Sequence, residues 1–100
     1  MKRAKLLRGL RALARDANDG ALALNVLYLE DDTNPVHRRA SLAACALALT
    51  GYLRDSAEGI ECDDAMSTEV LDEVATNLRT WAFLLVALTH ELQRLARRGA

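Results

Sequence analysis

Little in this chain interrupts a helix or builds a sheet. There is one proline in 100 residues, and aromatic side chains make up 4% of the total. β-branched residues are scarce and never alternate with polar ones at the two-residue period of a strand, which excludes a sandwich or barrel. Cysteine is confined to Cys45 and Cys62. Two thiols are too few for a disulfide framework and fit a reducing, cytoplasmic setting. Neither sign of charge is in excess, since 13 basic and 14 acidic side chains leave a net −1. Bulk electrostatics therefore recruits neither nucleic acid nor an acidic partner. No apolar run is long enough to span a bilayer.

The spacings that carry chemistry are missing as well. There is no Gly-rich phosphate loop, no Cys-x-x-Cys, no His-x-x-x-His and no recognisable Ser, His and Asp pattern. The acidic cluster Glu58, Glu61, Asp63 and Asp64 lacks the Asp-x-Asp-x-Asp-Gly order of a calcium loop and reads as a solvated connection. Cys62 lies in that acidic loop, the wrong surroundings for a thiolate nucleophile, and Cys45 reads as a small buried hydrophobe. These absences argue against an enzyme and against a resident cofactor.

What the chain does have is leucine and alanine, which dominate a composition that is 51% hydrophobic. Both lose little side-chain freedom in a helix. The length is that of one helical domain, residues 1–100. The spacing predicts an all-α, up-down-up bundle of three long antiparallel helices, at about 3–31, 35–59 and 67–98. The third is the plainest. Leu71, Val74, Leu78, Trp81, Leu85, Leu88, Leu92 and Leu95 step by three and four residues, the seam of a helix buried along its length. Ser67 is its N-cap and Gly99 its stop. The second opens at Asn34-Pro35, with Asn as cap and Pro in the first turn.

The first helix poses a conflict. Leu6, Leu10, Leu13, Ala17, Gly20, Leu24 and Leu27 keep the rhythm of one continuous rod, whereas Asn18-Asp19-Gly20 is a turn signal. The unbroken stripe favours the continuous rod, with a Gly20 penalty of about 1 kcal/mol. Its basic start (Met1 to Arg15, without an acid) has the composition of a targeting segment. The stripe nevertheless continues past any cleavable stretch, so it reads as structure. Short connections, Asp32-Thr33-Asn34 and Glu61 to Met66, make successive helices antiparallel. The basic start would then lie beside Asp55, Glu58, Glu69 and Asp72, and the acidic end (Glu30, Asp31, Asp32) beside Arg38, Arg39 and Arg94.

Each helix is apolar nearly all round at its middle. Three rods cannot hide such girdles by packing only on one another, and a lone unit would expose more than the few hundred Å² usually tolerated. The expected solution is a homodimer, a six-helix assembly in which Tyr28, Leu42, Leu49, Phe83, Leu84 and Val86 meet the second copy. A heterologous protein could cover the same surface, and a hydrophobic ligand between helices is a further solution. Two other readings rest on particular residues. Lys5, Arg8, Arg11 and Arg15 form a basic stripe that could face phosphates in a nucleic-acid-associated regulator, although overall neutrality and the lack of a helix-turn-helix pattern oppose it. His37 and His90 would share one end of the bundle with Glu30, Asp31, Asp32 and Glu91, and could ligate a metal ion, although their spacing is not diagnostic. The leading expectation is a non-enzymatic interaction module, an adaptor or regulatory subunit.

Overall fold

Asn34 and Pro35 open a helix in the way their chemistry requires. The Asn34 Oδ1 accepts hydrogen bonds from the backbone N–H groups of Val36 and His37, at 3.0 and 3.4 Å. Pro35 sits where its missing N–H costs nothing. The helix then runs Pro35–Cys62, past the expected end at residue 59, because a single glycine penalty of about 1 kcal/mol does not stop it at Gly59. Ser67 caps the last helix, Thr68–Arg98, its Oγ accepting from the Val70 N–H at 3.2 Å. The structure, a computed structural model, describes residues 2–31, 34–62 and 64–98. Asp32, Thr33, Asp63 and the Gly99 stop lie outside them.

The first rod is two helices, not one. The chain forms Lys2–Asp16, turns, and starts again at Gly20–Glu30. Asn18 adopts φ 53°, the left-handed conformation that Asn tolerates better than most residues. The Asp19 N–H donates to the Ala14 carbonyl at 2.8 Å and the Asn18 N–H to that of Arg15 at 3.1 Å, which satisfies carbonyls left over at the helix end. The Asp19 carboxylate then accepts from the Leu22 N–H at 3.0 Å and caps the next helix. The architecture is therefore all-α with four helices, numbered α1 to α4 in chain order, and no strand among the described residues.

The turn folds α1 back along α2, so that the Arg3 guanidinium donates to the Leu29 carbonyl at 2.8 Å. α2 lies on α3, α3 on α4, and α4 on α1, closing a ring of four. Arg38, early in α3, pairs with Glu91, late in α4, which fixes those two helices as antiparallel. Inside the ring lies one core: Leu6, Leu10 and Ala14 from α1, Leu22, Val26 and Leu29 from α2, Leu42, Cys45 and Leu49 from α3, and Leu84 and Leu88 from α4. Gly9 lets α1 approach α4 closely, since a Cβ there would lie 2.4 Å from Leu84 Cδ2.

Because the α1–α2 hairpin is short, it covers only half of the long α3–α4 pair. The core ends near Tyr52 and Trp81, whose ring centroids are 5.8 Å apart. Beyond them, residues 53–62 and 68–80 project as a two-helix arm in which no described residue is buried, and the molecule measures 49 × 24 × 23 Å. The seam expected along all of α4 is thus buried only in its second half. There the buried line is Leu84, Leu88 and Glu91, while Leu92, and Leu71 in the first turn, are exposed. The fold-back also changes the charge pairing. Arg3 reaches Glu91 and Arg11 pairs with Glu30, whereas Asp55, Glu58, Glu69 and Asp72 stand exposed on the arm.

The turn is tied to α3 by the Tyr52 hydroxyl, which donates to Asp19 Oδ2 at 2.7 Å. The Leu22 N–H, then the Tyr52 hydroxyl, hold the Asp19 carboxyl below its ordinary value. Burial, then the hydrogen bond and charge of Asp19, push the Tyr52 phenol up to about 12. Asp19 thus binds its proton less readily folded than unfolded. Its contribution is full above the usual carboxylate value of ~3.9 and is lost as pH falls through the lowered one. Tyr52 has the opposite sign: its contribution is full below ~10 and is lost as pH rises through its folded value. Melting temperature against pH is expected to lose part of its acid limb in Asp19→Asn and part of its alkaline limb in Tyr52→Phe. Profiles parallel to the parent would show that the tie carries no linkage.

Candidate functional site

The α2–α3 side of the ring presents the barest apolar surface. In α2 the chain from Ala21 to Leu29 is interrupted by one polar residue, Asn25, whose side chain folds back onto the Ala21 carbonyl at 2.8 Å. Only Leu22, Val26 and Leu29 can point into the core, so Leu24, Leu27 and Tyr28 are left on the outer side. In α3 the buried residues Arg38, Ser41, Leu42, Cys45 and Leu49 define the inner side. Val36, Ala40, Ala43 and Leu47 recur at four, three and four residues on the opposite one, all exposed. Leu27 is 59% exposed, Val36 71% and Leu47 75%, values at which burial has contributed little to any of them. The Tyr28 and His37 rings meet at 5.6 Å, joining the two helices at one end of this surface.

The six residues expected at an interface divide into two groups. Tyr28, Phe83 and Val86 face outward. Leu42, Leu49 and Leu84 do not: they are fully buried in the chain's own core, because the returning α1 and α2 cover the inner sides of α3 and α4. The more exposed aliphatics Leu27, Val36 and Leu47, and Leu24 beside them, were hidden in the sequence by the same property that exposes them. A helix apolar all round gives no sign of which side faces in.

The basic stripe is partly spent within the fold. The Lys5 ammonium lies 4.9 Å over the Phe83 ring, Arg11 pairs with Glu30, and Arg15 lies 3.8 Å from Asp16. Arg8 is exposed and has no ion-pair partner among the described residues. The histidines share one end of the bundle, beside the Arg38–Glu91 pair, but on different surfaces: His37 is set against Tyr28, and His90 lines a groove between α1 and α4. No group of three or more His, Cys, Asp or Glu side chains among the described residues is arranged to hold a metal ion. Burial pushes the Cys45 thiol up to about 11, so it is inert as a nucleophile near neutrality. Cys62 is exposed on the arm.

The groove between α1 and α4 is the second feature of the surface. It has a volume of about 320 Å³ and is floored by Leu6, Phe83, Val86 and Ala87, with Arg3, Lys5, His90, Glu91 and Arg94 around it. None of the described helices is long and apolar enough to cross a membrane. Comparison with protein-family models, curated proteins and solved structures finds no significant match to this chain.

Proposed function

We propose that this protein is a non-enzymatic interaction module that acts as a homodimer, the α2–α3 face of one copy packing on the same face of another. The observation that carries this reading is the exposed set Leu24, Tyr28, Val36 and Leu47 on two adjacent helices, with Leu27 at its edge toward α1. A two-fold axis through this face would bury each residue twice. Closing the face removes these side chains from water, and the gain scales with the apolar area covered. Ala40 and Ala43 favour close approach of the two α3 helices, and the set itself carries no charge that would repel its own copy.

Sedimentation equilibrium at micromolar concentration is expected to give twice the 11.0 kDa chain mass. Leu27→Glu with Leu47→Glu is expected to give the single-chain mass at unchanged helical circular dichroism. Phe83→Glu, on another side of the ring, leaves the mass doubled. A parent protein that sediments as one chain removes the reading. A complex that survives the paired substitution moves the interface elsewhere.

A further inference from the structure

The α1–α4 groove combines an apolar floor with a rim that carries Lys5 and Arg94, and nothing in the self-association reading uses it. Glu91, its one carboxylate, is already engaged: Oε1 by Arg38 from inside the core and Oε2 by Arg94 at 3.0 Å, with Arg3 at 3.8 Å. Glu91 is thus satisfied without Lys5. Lys5 has no carboxylate partner among the described residues, and its ammonium rests over the Phe83 face. A contact of that kind at an exposed site is worth about 0.5–1 kcal/mol, little enough to be exchanged for a carboxylate. The hollow of about 320 Å³ lies at the small end of the range of ligand sites, which is roughly 300–1,000 Å³.

We infer that this groove binds a medium-chain fatty acid. The alkyl chain lies on Leu6, Phe83, Val86 and Ala87, and the carboxylate sits between Lys5 and Arg94. The apolar residues lie along two antiparallel helices, since Arg3 reaches Glu91 and Gly9 lies against Leu84, and an alkyl chain follows that line. The charge selects an anion, because the Lys5 ammonium has no carboxylate among the described residues and a cationic head would be repelled by it. Arg94 can turn from Glu91 at little cost, since its own side chain is half exposed, whereas Glu91 keeps Arg38.

The test is calorimetric titration of the full chain with decanoate, decanol and decyltrimethylammonium, each below its micelle concentration. Decanoate is expected to bind, with the alcohol and the ammonium at least tenfold weaker. Val86→Asp, which places a carboxylate on the floor at an exposed position, is expected to abolish binding at unchanged circular dichroism. Lys5→Glu is expected to weaken it about tenfold. Leu27→Glu with Leu47→Glu is expected to leave it unchanged, which separates this groove from the self-association face. Absence of decanoate binding overturns the inference. So does equal binding of the alcohol, which would mean bare apolar adsorption, and so does full binding by Val86→Asp.

Discussion

Glu91→Ala is expected to cost about 3–5 kcal/mol of stability, the cost of removing one partner from a buried ion pair. For a chain of this size that is a fall in melting temperature of roughly 20 °C. The size of the effect follows from where Arg38 lies. Its side chain enters the ring of helices from the start of α3, is buried, and donates to Glu91 and, at 3.3 Å, to the Leu29 carbonyl. With Glu91 gone, a buried guanidinium that cannot lose its proton loses the charge-assisted bond to that carboxylate. Arg94→Ala removes only the half-exposed member of the same cluster and is expected to cost about 0–1 kcal/mol. The double change Arg38→Met with Glu91→Leu removes both charges together and is expected to recover most of the loss. Thermal unfolding of the four proteins decides the matter. Equal losses for Glu91→Ala and the double change would mean that Glu91 acts by packing and not by charge.

Glu91 also shows where the sequence stops being legible. Helix existence and two of the starts could be read directly, because Asn34-Pro35 and Ser67 are caps with local chemistry that tertiary packing does not override. The phase of α4 could not. Leu85, Leu88 and Leu92 keep a three-four rhythm, but so do Leu84, Leu88 and position 91, and only the second line is buried. A charged residue at that place hides the true line, and its role becomes visible only once Arg38 is seen opposite. The girdle around residues 81–88 announced surplus apolar surface. It did not say that Leu84 faces inward while Phe83 and Val86, 45% and 56% exposed, face out.

The break between α1 and α2 was obscured by a coincidence. Leu6, Leu10, Leu13, Leu24 and Leu27 are in phase across Asn18-Asp19-Gly20, yet the residues α2 buries are Leu22, Val26 and Leu29. A helix with leucine or valine on every side supplies a matching residue whatever the register. The turn signal, three residues with a defined mechanism, carried more information than a stripe of seven. It places α1 against α4, and so creates both the groove there and the bare α3–α4 arm.

The same turn supplies the second large effect. Replacing Asn18, Asp19 and Gly20 together by alanine is expected to fuse α1 and α2 into one helix and to convert the chain into a dimer that exchanges α1 between copies. The three replacements favour helix by about 2 kcal/mol in summed propensity, and loss of the Asp19 cap weakens the hairpin by about 1 kcal/mol more. A continuous helix from residue 2 to 30 is about 43 Å long at 1.5 Å per residue. It cannot fold back, so Leu6, Leu10 and Ala14 must leave their own α4. The same pocket on a second copy, lined by Leu84 and Leu88 with Gly9 admitting close approach, accepts them with no loss of core. Exchange of an element through an altered hinge is a low-cost route to a dimer of this kind. In a background carrying Leu27→Glu and Leu47→Glu, sedimentation is expected to report 11.0 kDa with the turn intact and twice that with three alanines. Mixed labelled and unlabelled chains should exchange only as fast as they unfold, since separating the copies requires α1 to leave a core. A single-chain mass for the triple-alanine protein would mean that core packing, and not Asn18-Asp19-Gly20, dictates the fold-back.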